Sequence, residues 1–465
     1  MRMKFSRSSQ RSQNRSGTIT DSQKSSDRDH QGTATLKPAK SGYIHSGFAL
    51  VLVAAASLAA ASLITACETL TVDFVFVASS KAAGANQYGE INVFEINSES
   101  GRMRQIPTSP FPSAGRNPVA EAVSADNQNL FVVNQDDNTI VQFDIGSDGK
   151  LYPNNTLNTP GIYPLAIATS KTNVFVIDTY QPLPLCSTAD PCSGSISVIP
   201  LVPPSGNCTT SVCLGTPANN TAINAQYWPL TLPSAPKDVI VPTAVNVLAS
   251  GALVYVTAYD SSVTPSVGYV FGFVVGSGGA LTAVPGPPFE PSENACGPTS
   301  SPVNLARPSG IASDGKSSYV YVTDTKNGNV WGLSVGSSGA LTALGCPYAA
   351  GNQPSSIVVD PSYPYVYVAN SEDGTVTAYS MSSGVLTSIG TYATGLQPVA
   401  IGIDPSTEHF LFTVNFLGNT VSDFELSTTS GTLLEAQYSP YPTNAQPVAV
   451  AAIPHNGTGG GIQPQ

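Results

Sequence analysis

Three charged side chains in this chain of 465 residues are placed where hydrolytic chemistry could use them. Glu121 lies in a column otherwise filled by Ile and Val. Asp178 ends the run Val-Phe-Val-Ile-Asp, and Arg307 precedes Pro308. A carboxylate can act as general base, and a guanidinium can hold an anionic or polarised oxygen. Each residue also has a structural reading. An acid in an apolar packing column is costly unless paired or hydrated, and Arg116, Arg307 or a channel water are the expected partners of Glu121. Asp178 belongs to a column completed by Asn134, Asp324, Asn370 and Asn415, where Asx side chains commonly satisfy turn backbone. A further column precedes seven prolines: Asn117, Tyr163, Val241, Arg307, Gln353, Gln397 and Gln446. Six of these seven are polar. Residues before proline favour extended backbone, so these side chains are expected to ring an opening and contact a ligand.

The columns exist because the chain repeats. Residues 353–397 read QPSSIVVDPSYPYVYVANSEDGTVTAYSMSSGVLTSIGTYATGLQ, and QPVAIGID then begins the next unit. Within about 45 residues lie four short runs rich in Val, Ile, Tyr and Thr, bounded by turn residues, and Asp373-Gly374 supplies a tight hairpin. The X-Pro step recurs at Pro118, Pro164, Pro242, Pro308, Pro354, Pro398 and Pro447. A second run recurs from Phe74, Leu130, Val174, Val254, Tyr319, Tyr365 and Phe410. Gly-x-Leu or Gly-x-Met steps introduce a fourth run at Gly101, Gly149, Gly279, Gly339, Gly384 and Gly431. Repeated four-stranded units read as propeller blades. The pattern starts on a second strand and ends on a first strand, Pro447–Val450. The expected fold is therefore all-β: a seven-bladed propeller of four-stranded antiparallel blades, its ring closed by the C-terminal strand joining the N-terminal blade.

Residues 1–46 are a polar leader with the composition of disorder. Residues 47–66 are almost wholly apolar and end at Ile64-Thr65-Ala66-Cys67. Those four residues resemble the bacterial lipobox, which implies cleavage before Cys67 and its acylation, hence a membrane partner through a lipid anchor. An uncleaved signal-anchor helix is the alternative, since about 20 apolar residues span a bilayer. Both place residues 73–454, after a short tether at 67–72, outside the cytoplasm; residues 455–465 read as a disordered tail. Without residues 1–66 the charge is 19 basic less nine against 30 acidic less three, a net of −17, which argues against nucleic acid. Six cysteines remain. Spacing favours Cys186–Cys192 and Cys208–Cys213, leaving Cys296–Cys346, although six cysteines permit fifteen pairings. A zinc site built from the first four is the weaker alternative. No metal and no cofactor is expected, and the domain is expected to be a monomer.

Insertions near 179–193, 203–236 and 285–306 swell two units. Loops on one face of a rigid scaffold are where binding concentrates, although the same loops could simply shield the ring. The Gly-x-Leu-Thr steps, Tyr-Val-x-Asx second strands and X-Pro first strands, over residues 73–454, resemble the seven-bladed propellers of the lactonase family. That family includes 6-phosphogluconolactonases and muconate-cycloisomerase-like proteins; the related YVTN-repeat surface propellers are also similar. The resemblance implies lactone hydrolysis at the mouth of a central channel, where family members often carry a Pro-Arg-His step. None of the seven X-Pro steps here is Pro-Arg-His. Of four histidines, His30 and His45 precede Cys67, His455 is in the tail, and His409 opens a second strand on the opposite rim. The expected function is a non-catalytic, lipid-anchored binding scaffold for a carbohydrate, lactone, peptide or cell-surface protein. The alternative is a lactone hydrolase using Glu121 or Asp178 with Arg307.

Overall fold

The computed structural model describes residues 71–83, 87–97, 100–182, 186, 192–205, 208, 211–293, 296, 303–404 and 410–454. The leader, the apolar segment, Cys67, the tail and all four histidines lie outside them. Among the described residues no helix is long and apolar enough to cross a membrane. The only helical element there is one 3-10 turn, Ser277–Gly279.

Seven antiparallel sheets form a seven-bladed propeller. Blades 1 to 6 occupy residues 118–158, 162–229, 240–283, 308–349, 354–393 and 398–442. The closing blade combines the last strand, Pro447–Pro454, with Thr71–Ala83, Tyr88–Asn97 and Met103–Gln105. The last strand is innermost, and Val77 pairs with Val450 and Ala78 with Ala449, the register expected from the repeat. In blade 5 the runs read from sequence are four strands, and Gly374 takes the positive φ of 64° that its hairpin needs.

Second strands are buried along their whole length in blades 1, 5 and 6, which explains their unbroken Val, Tyr and Phe content. First strands carry small residues because blades converge on the axis. A Cβ on Gly402 would lie 3.1 Å from Val450 of the closing blade, and one on Gly310 would lie 3.2 Å from Ile357 of blade 5. The Ile/Val column thus packs on the small residues of the preceding blade. Aromatic residues extend this packing outward. The hydroxyls of Tyr255, Tyr321 and Tyr367 donate to the carbonyls of Gly339, Gly384 and Gly431 in the following blade, at 2.8, 2.9 and 3.1 Å. The corresponding residues of the other four blades are Phe76, Phe131, Phe175 and Phe412, which have no hydroxyl.

Two of the insertions are partly blade. Cys213–Leu214 and Trp228–Pro229, inside the stretch read as the 203–236 insertion, pair with the third strand of blade 2 and supply its outer edge. Phe289, inside the 285–306 stretch, bridges to Val270 of blade 3. The remainder of that stretch forms a ribbon of Ser292–Glu293 with Val303–Asn304. Disulfides join Cys186–Cys192, Cys208–Cys213 and Cys296–Cys346, bonds suited to an oxidising compartment outside the cytoplasm.

Candidate functional site

The first strands of all seven blades wall a central cavity of about 290 Å³. Its upper rim is the residue after each proline, from Val119 and Leu165 to Val448, and its floor reaches Ser170, Lys171 and Ala249. The wall is mostly Ala, Val and Ile. The hydroxyls of Ser309 and Ser355 are used to stitch blades, donating to the carbonyls of Pro354 and Pro398 in the next blade.

The X-Pro residues sit above this cavity and do not line it. The expected extended backbone is corrected in five of them: Asn117, Tyr163, Gln353, Gln397 and Gln446 have φ between 52° and 59°. A β-bulge lies just inside the strand; in blades 1, 2, 3, 5, 6 and the closing blade it falls immediately after the proline. The left-handed residue turns its carbonyl outward to accept an amide from beyond the second strand, as Gln135 N to Asn117 O and Ser371 N to Gln353 O do at 2.9 Å. Val241 and Arg307 do not share this conformation, and a β-branched residue resists positive φ.

The side chains of Asn117, Tyr163, Arg307 and Gln353 engage neighbouring groups. Asn117 Nδ2 donates to Asp136 Oδ1 at 3.1 Å, and Gln353 Nε2 to Glu372 Oε2 at 3.0 Å. Tyr163, 41% exposed, stands edge-on to Tyr180 at 6.0 Å. Arg307 lies 4.8 Å over the ring of Tyr259 and donates to its hydroxyl. The backbone amide of Gln446 is accepted by Asn419 Oδ1, and the Gln397 carbonyl accepts from Phe416.

The Asx column is buried and turned to local groups. Asp324 accepts the amides of Ala306 and Arg307, Asn370 accepts the amide of Gly351, and Asn415 donates to Thr420 and Ser422. Asp178 accepts from Ser197 at 3.3 Å. Burial raises its carboxyl to about 7, against the lowering effect of Thr159 and Ser197.

Glu121 meets neither of its two expected arginine partners, although it is among the residues lining the central cavity. Arg116 pairs with Asp137 at 2.6 Å, and Arg307 is on Tyr259. Glu121 pairs across the sheet with Val132, whose face packs against Phe76 and Ala451 of the closing blade. Its carboxyl therefore enters the seam between blades. Both oxygens are buried without a hydrogen bond; the amides of Ala78 and Ala451 are near but close none. Burial lifts the carboxyl to about 8, and those amides only partly offset this.

The sequence reading missed Asp423, whose carboxyl oxygens are likewise buried without a hydrogen bond. Burial, then the neighbouring Asp404, hold it well above the usual carboxylate range. The signal was available in the third strands: the residue opposite the Phe/Tyr column is Val93, Gln142, Val198, Gly272, Gly332 or Ala378, and only here an acid. Among the described residues no three His, Cys, Asp or Glu side chains converge as a metal site.

A sequence profile described as "Lactonase, 7-bladed beta-propeller" matches residues 85–182, 288–387 and 341–451, more than half of the chain. The chain belongs to this family. No curated protein sequence matches this lactonase-family chain. Solved structures similar to it include a putative 6-phosphogluconolactonase from Bacteroides fragilis, 18% identical, TM-score 0.61, covering 83% of this chain and 99% of that one. A second, from Bacteroides uniformis, is 16% identical with TM-score 0.60 over 82% and 99%. The periplasmic gluconolactonase PpgL of Pseudomonas aeruginosa is 16% identical with TM-score 0.59, again over 82% and 99%. At these identities the likeness is one of fold.

Proposed function

We propose that this lactonase-family propeller is a lipid-anchored extracytoplasmic binding protein, taking a carbohydrate or cell-surface partner at its loop-bearing mouth. The observation that carries this reading is the separation of the groups a hydrolase would need. Glu121 is turned into a blade seam, Asp178 is held by Ser197, and Arg307 lies on Tyr259. These three candidate groups face no common point. The mouth instead offers an exposed Tyr, a cation–aromatic pair and amides, the adaptable polar and aromatic mix of a binding surface. The Ile64-Thr65-Ala66-Cys67 sequence and three disulfides support anchoring outside the cytoplasm.

The alternative, lactone hydrolysis at the channel mouth, draws on family membership and on the name of the Pseudomonas neighbour. The deciding experiment incubates the purified mature domain with a panel of sugar and acyl lactones. Hydrolysis at the uncatalysed rate is the expected result. Turnover that Arg307→Ala or Glu121→Gln abolishes would overturn the binding reading. Mass spectrometry of the natural protein should find an acylated N-terminal Cys67, and Cys67→Ser should block processing.

A further inference from the structure

Two acids whose carboxyl oxygens are buried without a hydrogen bond flank a single blade. Glu121 faces the closing blade from blade 1, because its cross-strand partner Val132 packs with Phe76, Val93 and Ala451. Asp423 faces the closing blade from blade 6. Its cross-strand partner Phe412 packs with Val75, Val77, Phe94 and Met103. The closing blade is also the one blade assembled from both ends of the propeller, its inner strand joined to the other three by non-covalent contacts and not by a direct chain connection. Neither of its seams has a Tyr-to-Gly tie, since Phe412 and Phe76 occupy those positions. The three tied seams lie on the other side of the ring, between blades 3 and 6.

We propose that the closing blade is a latch: two protonated carboxylic acids, Glu121 on one side and Asp423 on the other, let it close, and their ionisation releases it while blades 3 to 6 stay assembled. A neutral acid in an apolar seam costs the desolvation of a polar group; an ionised one costs far more unless the seam opens to water. Opening the closing blade is the available relief, because both acids face it and its release exposes both to water at once, and local unfolding proceeds in such contiguous units.

The surroundings give no counter-charge at Glu121. The closing-blade strands Pro447–Pro454 and Thr71–Ala83 and its own second strand present Ala449, Ala451, Phe76, Ala78 and Val132. At Asp423 the ionisable neighbours are Asp404 and Tyr441. Asp73 of the closing blade, Glu425 at the exposed end of the strand, and Arg102, set 4.9 Å over Tyr438, lie further along the same seam. The acids among them oppose ionisation of Asp423, and Arg102 is outside the buried part. Both seams therefore favour the proton near neutral pH and shed the blade as pH rises.

The test is hydrogen–deuterium exchange on the full mature chain at pH 6 and pH 9, corrected for intrinsic exchange rates. The expected result is loss of protection in residues 71–97 and 447–454 at pH 9, with strands 319–324 and 365–370 unchanged. Ionisation linked to opening increases the open fraction by up to about tenfold per pH unit for each acid. The double variant Glu121→Ile, Asp423→Ala uses the residue types that other blades carry at these positions, and it should exchange alike at both pH values. Should that variant not fold, Glu121→Gln and Asp423→Asn singly should each shrink the pH difference. Equal exchange at pH 6 and 9 in the wild type, loss of protection spread over all seven blades, or a pH difference surviving these substitutions overturns the latch.

Discussion

Val77, in the first described strand, lies opposite Val450, in the last. This pairing makes the seventh blade a joint product of both chain ends. Ending the chain at Asn444 would remove the inner strand, including buried Ala452 and Ile453, and would leave an open sheet edge beside two exposed seams. A buried side chain such as Ile453 contributes roughly 1.5–3 kcal/mol, and the packing of both adjoining seams is lost with it, against a typical stability of about 5–15 kcal/mol. The truncated protein should aggregate or melt far below wild type in calorimetry. A chain ending at Pro454 should melt at the wild-type temperature. Equal melting temperatures for the two truncations would contradict the closure.

The Tyr-to-Gly ties make a second, finer prediction. Tyr321 and Tyr367 are fully buried and send their hydroxyls to the next blade. Tyr321→Phe or Tyr367→Phe leaves the ring in place and a carbonyl unpaired, at a cost of about 1–2 kcal/mol each. Urea denaturation should show lower midpoints with unchanged slope. Substituting Phe131→Tyr in an untied seam is the control, since no such gain is expected without a placed carbonyl. Stability unaltered in both Tyr variants would mean the ties are incidental.

Much of this was legible because a repeat exposes its own register. Three columns in phase gave the blade count, and the permuted start gave the pairing of Ala449 with Ala78. The conformation of Gln353 and its counterparts was not legible: proline next in sequence argues for extended backbone, whereas entry into the bulged strand is made there with positive φ. The outer strand of blade 2 was hidden because a two-residue strand, Cys213–Leu214, carries no periodicity. Glu121 stood out by column, but its partner did not, because which seam a first-strand residue enters depends on the packing of adjacent blades. Asp423 was passed over because its column ranges from Gly272 to Gln142 and an acid among such residues looks unexceptional.

Reduction should separate decoration from scaffold. Cys186–Cys192 and Cys208–Cys213 span only 6 and 5 residues, and Cys296–Cys346 spans 50. None bridges the closing blade to its neighbours. Dithiothreitol at ambient temperature should therefore raise proteolysis near Cys208 and Cys296 while the β circular dichroism persists. The Cys208 loop deserves the closest reading, because Gln142 of blade 1 donates to the Val212 carbonyl at 2.7 Å and accepts from the Leu214 amide. Collapse of the β signal on mild reduction would show that the insertions hold the ring.

Asp178 gives the last prediction, a slope of stability against pH. Its carboxyl is raised from 3.8 to about 7 in the folded chain, chiefly by burial. Between those values the folded state holds a proton that the unfolded state has released. Stability contributed by that proton is complete below the unfolded value and declines as pH rises toward 7, at up to about 1.4 kcal/mol per pH unit. Glu121, raised from 4.5 to about 8, acts in the same direction and extends the decline. The wild type should thus melt higher at pH 5 than at pH 8. Asp178→Asn is a mild change, because Asn134, Asn370 and Asn415 already occupy this column, and an amide still accepts from Ser197. The variant should keep its fold and show a shallower decline between pH 5 and 7, where Glu121 still contributes, with the decline above pH 7 nearly unchanged. An unchanged slope in Asp178→Asn, measured by thermal melts across pH 5 to 8, would show that this carboxyl is ionised in the folded protein.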